Sequence, residues 1–304
     1  MTSALVIGGK GLIGSVVTRK LLDAGVDVVC LEPKATPGRL GKLAEEIEIV
    51  AGDVRDISQI ERLLADHDID VILPLHFLRS DDVALELEVM VRGMWNIFDA
   101  AARSDVSRIA FPSSIRVYGP QWRHGDVQLN ELSTCLSTRR YGIYKHLTEI
   151  AGRDIAASRD IEILGARVPV VYGPGIREGG ADVVLAPYRA ANGLDTVLPY
   201  SPDIQLCVAH VHDVADVFLH LALDERIEHD LYEIGGVLTS YAEIAEITAS
   251  LTDAKVTFDE QPSDPEAEFA YLADNSRLRD ELGLTHRSIE AGLKEFIDSA
   301  KEEA

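Results

Sequence analysis

Tyr141 and Lys145, in the stretch YGIYK, have side-chain types and a spacing suited to proton transfer. Four positions apart in a helix-like segment, their side chains lie on one face about a turn apart. A phenol with a pKa of about 10 is a poor base at neutral pH, and a nearby ammonium stabilises the phenolate. Tyr144 is the other candidate for this role, but it is adjacent to Lys145 and its side chain points elsewhere on the helix. The spacing predicts Tyr141 as an acid/base group; a solvated helix face is the alternative.

The start of the chain, ALVIGGKGLIG, places glycines directly after an apolar strand. Such a turn lets a dinucleotide pyrophosphate approach the backbone and rest on a helix N-terminus. An acidic residue about 20 positions on then accepts bonds from the adenosine ribose, and here Glu32 ends the next apolar run. A purely structural turn is the alternative. The residues predicted to hold the dinucleotide are Gly8, Gly11, Leu12, Ile13, Gly14 and Glu32.

The choice of cofactor depends on two side chains of opposite charge. The Glu32 carboxylate accepts bonds from both ribose hydroxyls and would repel a 2′-phosphate, which favours NAD. Lys10, just before the second glycine of the spacing, favours NADP instead, because a basic residue there is associated with NADP in enzymes that have a similar turn. We rank Glu32 above Lys10 and predict NAD.

Five stretches in order carry a family resemblance: GGKGLIG, Glu32, GDVRD, SSIRVYG and YGIYK. With them the chain resembles the extended short-chain dehydrogenase/reductase, or NAD-dependent epimerase/dehydratase, family over nearly its whole length. The resemblance implies that Asp53 and Val54 contact the cofactor and that Ser114 orients the substrate oxygen. It also implies that Lys145, beside Tyr141, holds the nicotinamide ribose. A homodimer through helices around 81–103 and 140–158 is implied as well, with Val89, Trp95 and Tyr144 available for contact or for the core.

Apolar runs alternate with amphipathic stretches through the first half of the chain, and strands this uniformly apolar belong in a parallel sheet covered on both faces. We therefore predict an α/β, Rossmann-like doubly wound sheet with a small C-terminal substrate-binding lobe. GPGIREGG and LPYSPD look like loops of that lobe. The predicted helices cover 12–24, 57–66, 81–103, 140–158, 213–222, 240–251, 274–282 and 289–300. The predicted division is 1–170 with 206–235 for NAD, and 171–205 with 236–304 for substrate.

Differences from the resembled family limit the reactions that the chain can be expected to catalyse. Ile115 and Arg116 stand where dehydratases carry an Asp-Glu pair, so dehydration is disfavoured. Val170 and Leu206 replace the Asn and Arg that serve a nucleotide-sugar diphosphate, and an apolar residue makes no charge-assisted bond to phosphate. Met90 replaces a further Asn. We therefore predict hydride transfer on a sugar-like or other small hydroxy compound.

Two alternatives to this reaction stay open. In a nucleotide-sugar 4-epimerase, Arg177 or Arg189 would rebuild the lost phosphate contact. A non-catalytic protein that senses NAD is the other alternative, although such sensors tend to lose the tyrosine or lysine.

Several histidines and loop residues have two interpretations. HVHD, residues 210–213, could pass for a metal pair, but the resembled family has a strand here followed by an aspartate that caps the next helix, which favours Asp213 as an N-cap. His76 stands at a position where the family usually has alanine. Its side chain either contacts the substrate or cofactor or only fills space in the protein. Arg116, Trp122 and His124 either line the substrate pocket or belong to a solvated loop.

Composition limits the partners. The net charge is -22, with 51 acidic and 29 basic residues, so nucleic acid is an unlikely partner. This acidity fits a high-salt habitat or a GC-rich genome. The three cysteines are far apart and lack CxxC spacing, which predicts no metal site and a reducing compartment. Without a membrane-length apolar run or a leader, we expect a cytoplasmic enzyme.

Overall fold

The computed structural model describes residues 2–177, 182–263 and 270–302. The strands are β1 (Ser3–Ile7), β2 (Asp27–Glu32), β3 (Glu48–Ala51), β4 (Val71–Pro74), β5 (Arg108–Ser114), β6 (Glu162–Val168), β7 (Val170–Tyr172), β8 (Thr196–Tyr200), β9 (Gln205–His210), β10 (Leu231–Glu233), β11 (Val237–Ser240) and β12 (Val256–Ser263). The helices are α1 (Leu12–Asp23), α2 (Ile57–Asp66), α3 (Val83–Leu87), α4 (Gly93–Ala101), α5 (Arg140–Ala156), α6 (Asp182–Ala191), α7 (Val211–Leu223), α8 (Tyr241–Leu251), α9 (Ser276–Leu282) and α10 (Ile289–Glu302). Among the described helices, none combines the length and the apolar character needed to cross a membrane.

Seven strands form a central sheet in the order β10-β6-β5-β4-β1-β2-β3, and all its pairings are parallel. The central strand β1 is buried on both faces: Ala4 and Val6 pack with α1 and α7, whereas Leu5 and Ile7 pack with α2 and α4. This arrangement confirms the predicted doubly wound α/β fold. The strand order reverses between β1 and β4, and ligands of such sheets bind beyond the carboxyl ends of the strands at that reversal.

The second half of the chain builds a smaller set of strands. β7, β9 and β11 form a three-stranded sheet, and β8 pairs with β12. These strands share a separate core with α6, α8 and α10. Two elements that lie between β9 and β11 along the chain join the first half instead. Helix α7 packs against α1, and β10 extends the central sheet. The exact division of the chain into a cofactor part and a substrate part stays a prediction.

Some predicted elements differ in the structure. The expected helix over 81–103 is interrupted by a π-helical turn, Glu88–Arg92, between α3 and α4. The stretch LPYSPD begins inside β8 rather than in a loop, and α6 follows GPGIREGG, whose residues 178–180 lie outside the described part. The sequence did not predict α6 because Pro187 disfavours a helix interior. The helix is stabilised by its packing on the small core.

Asp213 is not the helix N-cap that the sequence predicts. Helix α7 begins at Val211, so the capping residue is His210, whose Nδ1 accepts a hydrogen bond from the His212 backbone at 3.3 Å. Asp213 therefore lies in the first helical turn, where it forms an ion pair with Arg287 at 2.8 Å. An acidic residue is favourable there because the first turn carries the positive end of the helix dipole.

Candidate functional site

The glycine turn lies between β1 and α1, where the strand order reverses. Gly8 has φ +85°, and a side chain there would collide with the backbone of His76. A Cβ at Gly14 would overlap the Gly8 carbonyl oxygen, so only glycine lets α1 start this close to β1. Gly11 caps α1 without a side chain. The first N–H groups of the helix, from Leu12, Ile13 and Gly14, therefore lie at an uncapped, positively polarised end.

Glu32 ends β2 beside this turn and is only 4% exposed. Its Oε1 accepts a hydrogen bond from the Lys10 backbone at 2.7 Å. Burial raises the pKa of the Glu32 carboxyl, and the Lys10 backbone and side chain oppose that rise. The Lys10 ammonium donates to the Lys34 carbonyl at 2.6 Å and to Thr36 at 3.2 Å, and lies 3.9 Å from Glu32 Oε2. Lys10 is thus anchored to the loop after β2.

Asp53 and Val54 follow β3 on the same edge of the sheet. The Asp53 carboxylate pairs with Arg55, which lowers its pKa. Val54 is buried against Gly93, where a Cβ would come within 2.5 Å of its side chain. Asn96 of α4 donates a hydrogen bond to the Val54 carbonyl at 2.9 Å. Asn96, which the motifs did not single out, therefore holds this loop in place.

These groups fit a dinucleotide. The uncapped helix end suits a pyrophosphate, the Glu32 carboxylate suits ribose hydroxyls, and the glycines leave the turn without side chains that would block a close approach. All of the residues predicted to hold the cofactor lie at the carboxyl edge of the central sheet or at the start of α1 and α5.

Tyr141, Lys145 and Ser114 converge at the same edge. Tyr141 and Lys145 are in the first two turns of α5, and Ser114 is the last residue of β5. The Ser114 hydroxyl lies close enough to the Tyr141 phenol to lower its pKa. Ser114 Oγ also lies 3.4 Å from the Val168 carbonyl and accepts a bond from the Arg116 backbone at 3.2 Å. The structure thus brings the three predicted catalytic residues together.

The electrostatics of Tyr141 differ from the expectation. Burial raises its pKa, while the Ser114 hydrogen bond and the Arg116 guanidinium lower it. Lys145 Nζ lies 5.8 Å from the centre of the Tyr141 ring and donates to the Pro112 carbonyl at 2.7 Å. In this structure the cation that favours the phenolate most directly is therefore Arg116. Sequence spacing missed it because Arg116 and Tyr141 are 25 positions apart along the chain.

His76 also borders this site. Its Nε2 lies 3.2 Å from the Val89 carbonyl, so this nitrogen carries the proton. Burial and the nearby Lys145 lower the His76 pKa to about 4, which keeps the ring neutral. The next residue, Phe77, packs edge-on against the Tyr141 ring at 5.6 Å. His76 and Phe77 thus lie beside α5.

The other residues with an open interpretation are placed as follows. Trp122 is 65% exposed with Arg123 stacked on it, and His124 Nε2 lies 2.9 Å from the Tyr118 carbonyl. Both residues lie in the segment between β5 and α5. Leu206 is fully buried in the small core. Val170 packs partly against the same core, so neither position offers a polar group to a ligand.

Cys135, His146 and Glu149 bring three possible metal-ligand atoms within 4.8 Å of one another. The Arg167 guanidinium already binds both Glu149 oxygens and lies 3.5 Å from the Cys135 sulfur. A fixed positive charge at that place opposes a second cation.

Comparison with known proteins agrees with this arrangement. A model of the NAD dependent epimerase/dehydratase family matches residues 4–235. A UDP-glucose 4-epimerase of Azospirillum brasilense is 26% identical over 309 residues, covering 92% of this chain and 86% of that protein. A UDP-glucose 4-epimerase of Neisseria meningitidis serogroup A is 29% identical over 168 residues, 51% of this chain and 50% of that protein.

Among solved structures, the UDP-glucose 4-epimerase of Thermus thermophilus in complex with NAD has the same fold. The TM-score is 0.88 at 22% identity, over 100% of both chains. Since the family model also spans most of the sequence, the resemblance seen in the motifs is confirmed, and the chain belongs to the NAD-dependent epimerase/dehydratase family of enzymes.

Proposed function

We propose that this enzyme transfers a hydride between NAD and a secondary alcohol or carbonyl of a sugar-like or other small hydroxy compound. The observation that supports this most is the convergence of Ser114 at the end of β5 with Tyr141 and Lys145 at the start of α5, at the same sheet edge as the glycine turn. A phenol beside a second hydroxyl at the edge of a dinucleotide site is suited to exchange the proton of a substrate oxygen.

The residues divide the work as follows. Bound NAD supplies the acceptor for the hydride that leaves the substrate carbon. Tyr141 takes the hydroxyl proton during oxidation and returns it during reduction, while Ser114 orients the substrate oxygen. Arg116 favours the phenolate form of Tyr141, and the Lys145 ammonium lies 5.8 Å from the Tyr141 ring.

The cofactor is held by a separate set of groups. The backbone N–H groups at the start of α1 hold the pyrophosphate, and Glu32 accepts bonds from the adenosine ribose. Asp53 and Val54 border the adenine, and Lys145 holds the nicotinamide ribose.

The substrate is proposed to be small because Val170 and Leu206 are apolar and packed in the small core. A nucleotide-sugar 4-epimerase is the second candidate, favoured by the relative that aligns over 86% of its length. In that case Arg177 or Arg189 would have to bind the diphosphate. The presence of Ser114, Tyr141 and Lys145 argues against a role limited to sensing NAD.

The test is a panel assay at 340 nm with NAD and NADP against sugars, sugar acids, simple alcohols and nucleotide sugars. Net NADH formation marks a dehydrogenase, and isomerised nucleotide sugar without net reduction marks an epimerase. Tyr141→Phe should lower kcat by about 10²–10⁴-fold because the proton-transfer group is lost. Tyr144→Phe, on the same helix, is the matched control and should retain activity.

Two outcomes would contradict the proposal. If Tyr141→Phe keeps full turnover, the catalytic assignment is wrong. If NADP binds more tightly than NAD, the role given to Glu32 is wrong.

A homodimer and a cytoplasmic location are part of the same proposal. Exposed apolar side chains form a stripe on α5, at Ile143, Leu147 and Ile150, and Trp95 of α4 is 43% exposed. Spacings of four and three place the α5 residues on one helical face. Tyr144 does not extend this stripe, since it is buried within the protomer. All three cysteines are free thiols, which supports a reducing compartment.

A further inference from the structure

Two contacts, one helical turn apart, fasten the helix of Tyr141 to the strand of Ser114. Lys145 Nζ of α5 donates a hydrogen bond to the Pro112 carbonyl of β5 at 2.7 Å. Ser113, the next residue of β5, donates its hydroxyl hydrogen to Glu149 Oε1, four positions beyond Lys145. The residue that follows these two anchor points is Ser114. The contacts therefore set the separation of the α5 and β5 groups that meet in the site.

The second anchor depends on a buried ion pair. Arg167 binds both carboxylate oxygens of Glu149, with Nε to Oε1 at 2.9 Å and Nη2 to Oε2 at 2.8 Å. Glu149 is 3% exposed and Arg167 is 2% exposed. Arg167 lies on β6 directly opposite Ser113 in the parallel ladder. This two-bond geometry fixes the orientation of the carboxylate as well as its place.

We propose that Glu149 is a positioning residue of the active site: through Ser113 and Arg167 it holds the Tyr141 helix against the Ser114 strand and keeps its carboxylate one helical turn from Lys145. The proposal rests on the proposed function, because it explains how two of the reacting groups are held. Neither the motifs nor the family match assigns this role to Glu149.

The charges around Lys145 support this role. Lys145 is only 4% exposed, and burial lowers its pKa to about 8 while the Glu149 carboxylate opposes that fall. His76, which faces it from the end of β4, is neutral because its own pKa is lowered to about 4. Tyr141 lies on the same helix, and β5 presents a carbonyl oxygen. Among the described residues, Glu149 is thus the group identified as favouring the charged lysine.

The test measures the titration of Lys145 directly, without turnover. The chain contains eight lysines, and each is labelled with ¹³C at Cε for NMR. The signal that is missing from the spectrum of Lys145→Arg is the signal of Lys145. In Glu149→Gln we expect the Lys145 midpoint to fall by at least about one pH unit, since the negative charge is lost and Arg167 is left unpaired. The alkaline limb of the kcat profile should move to lower pH with it.

Two further variants complete the experiment. Glu162→Gln breaks another Glu–Arg pair of β6, with Arg108 at 2.6 Å, and should leave the Lys145 midpoint unchanged. Glu149→Asp withdraws the carboxylate by one methylene and should give a smaller fall than Glu149→Gln. If Glu149→Gln does not fold, the difference between Glu149→Asp and the wild type decides the question.

A Lys145 midpoint that is the same in wild type and in the Glu149 variants would overturn the proposal. This outcome is separable from failure of the proposed function, because Tyr141→Phe tests the reaction whereas the titration concerns only the state of Lys145.

Discussion

Glu233 is a fully buried carboxyl, and its burial favours the protonated acid. Its Oε2 and the Asn130 carbonyl both lie 2.8 Å from the Tyr118 hydroxyl, which also accepts a bond from Arg167 at 2.9 Å. The Tyr118 hydroxyl has one hydrogen, which Glu233 Oε2 and the Asn130 carbonyl share as acceptors. Burial raises the pKa of Glu233 to about 8, which favours the protonated acid near neutral pH.

At the residue scale, the proton on Glu233 predicts how stability changes with pH. Because its folded pKa lies above its ordinary value near 4.5, the stability that it contributes is complete below that value. The contribution is lost as the pH rises toward 8. Glu233→Gln, which mimics the protonated acid, should match the wild type at pH 5 and be more stable at pH 8.5. Thermal unfolding at both pH values checks this, and equal melting temperatures of the two proteins at pH 8.5 would refute it.

At the scale of elements, the approach of α5 to the end of β5 depends on the glycine that follows Tyr141. A Cβ at Gly142 would overlap the Arg116 carbonyl oxygen and the Ser137 hydroxyl. Gly142→Ala should therefore push the start of α5 away from Ser114. A displacement of about 1 Å can cost about 10²-fold in rate, so we expect a large fall in kcat.

A matched control is available on the same helix. A Cβ at Gly152 would meet a side-chain methyl group of Ile163 at 3.0 Å, and a side chain yields more easily than backbone. Gly152→Ala should therefore keep kcat near the wild-type value. Similar rates for Gly142→Ala and wild type would show that the close approach is not needed. Steady-state kinetics at saturating NAD and substrate make the comparison.

At the scale of the whole molecule, the exposed stripe on α5 predicts association of two copies. Light scattering coupled to size exclusion should give twice the chain mass of 33.2 kDa. Leu147→Asp combined with Ile150→Asp should give the single-chain mass, because burying two unpaired carboxylates in an apolar contact is unfavourable. Leu132→Asp is the control, since Leu132 is 85% exposed and lies in a loop outside α4 and α5. A wild-type mass of one chain would contradict the dimer.

The sequence predicted Ser114 through the family resemblance, and by itself it determined the central sheet, the glycine turn and the pair of Tyr141 and Lys145. These depend on local properties: the apolar runs of buried strands, the helical spacing of four, and glycines where a side chain would collide with backbone. Only the tertiary structure decided the partners of Glu149, Glu233, Asp213 and Arg116. Each of these groups meets residues far away along the chain, so its charge depends on contacts and burial that form only when the strands and helices pack. For the same reason the sequence did not predict α6, whose buried residues pack in the small core.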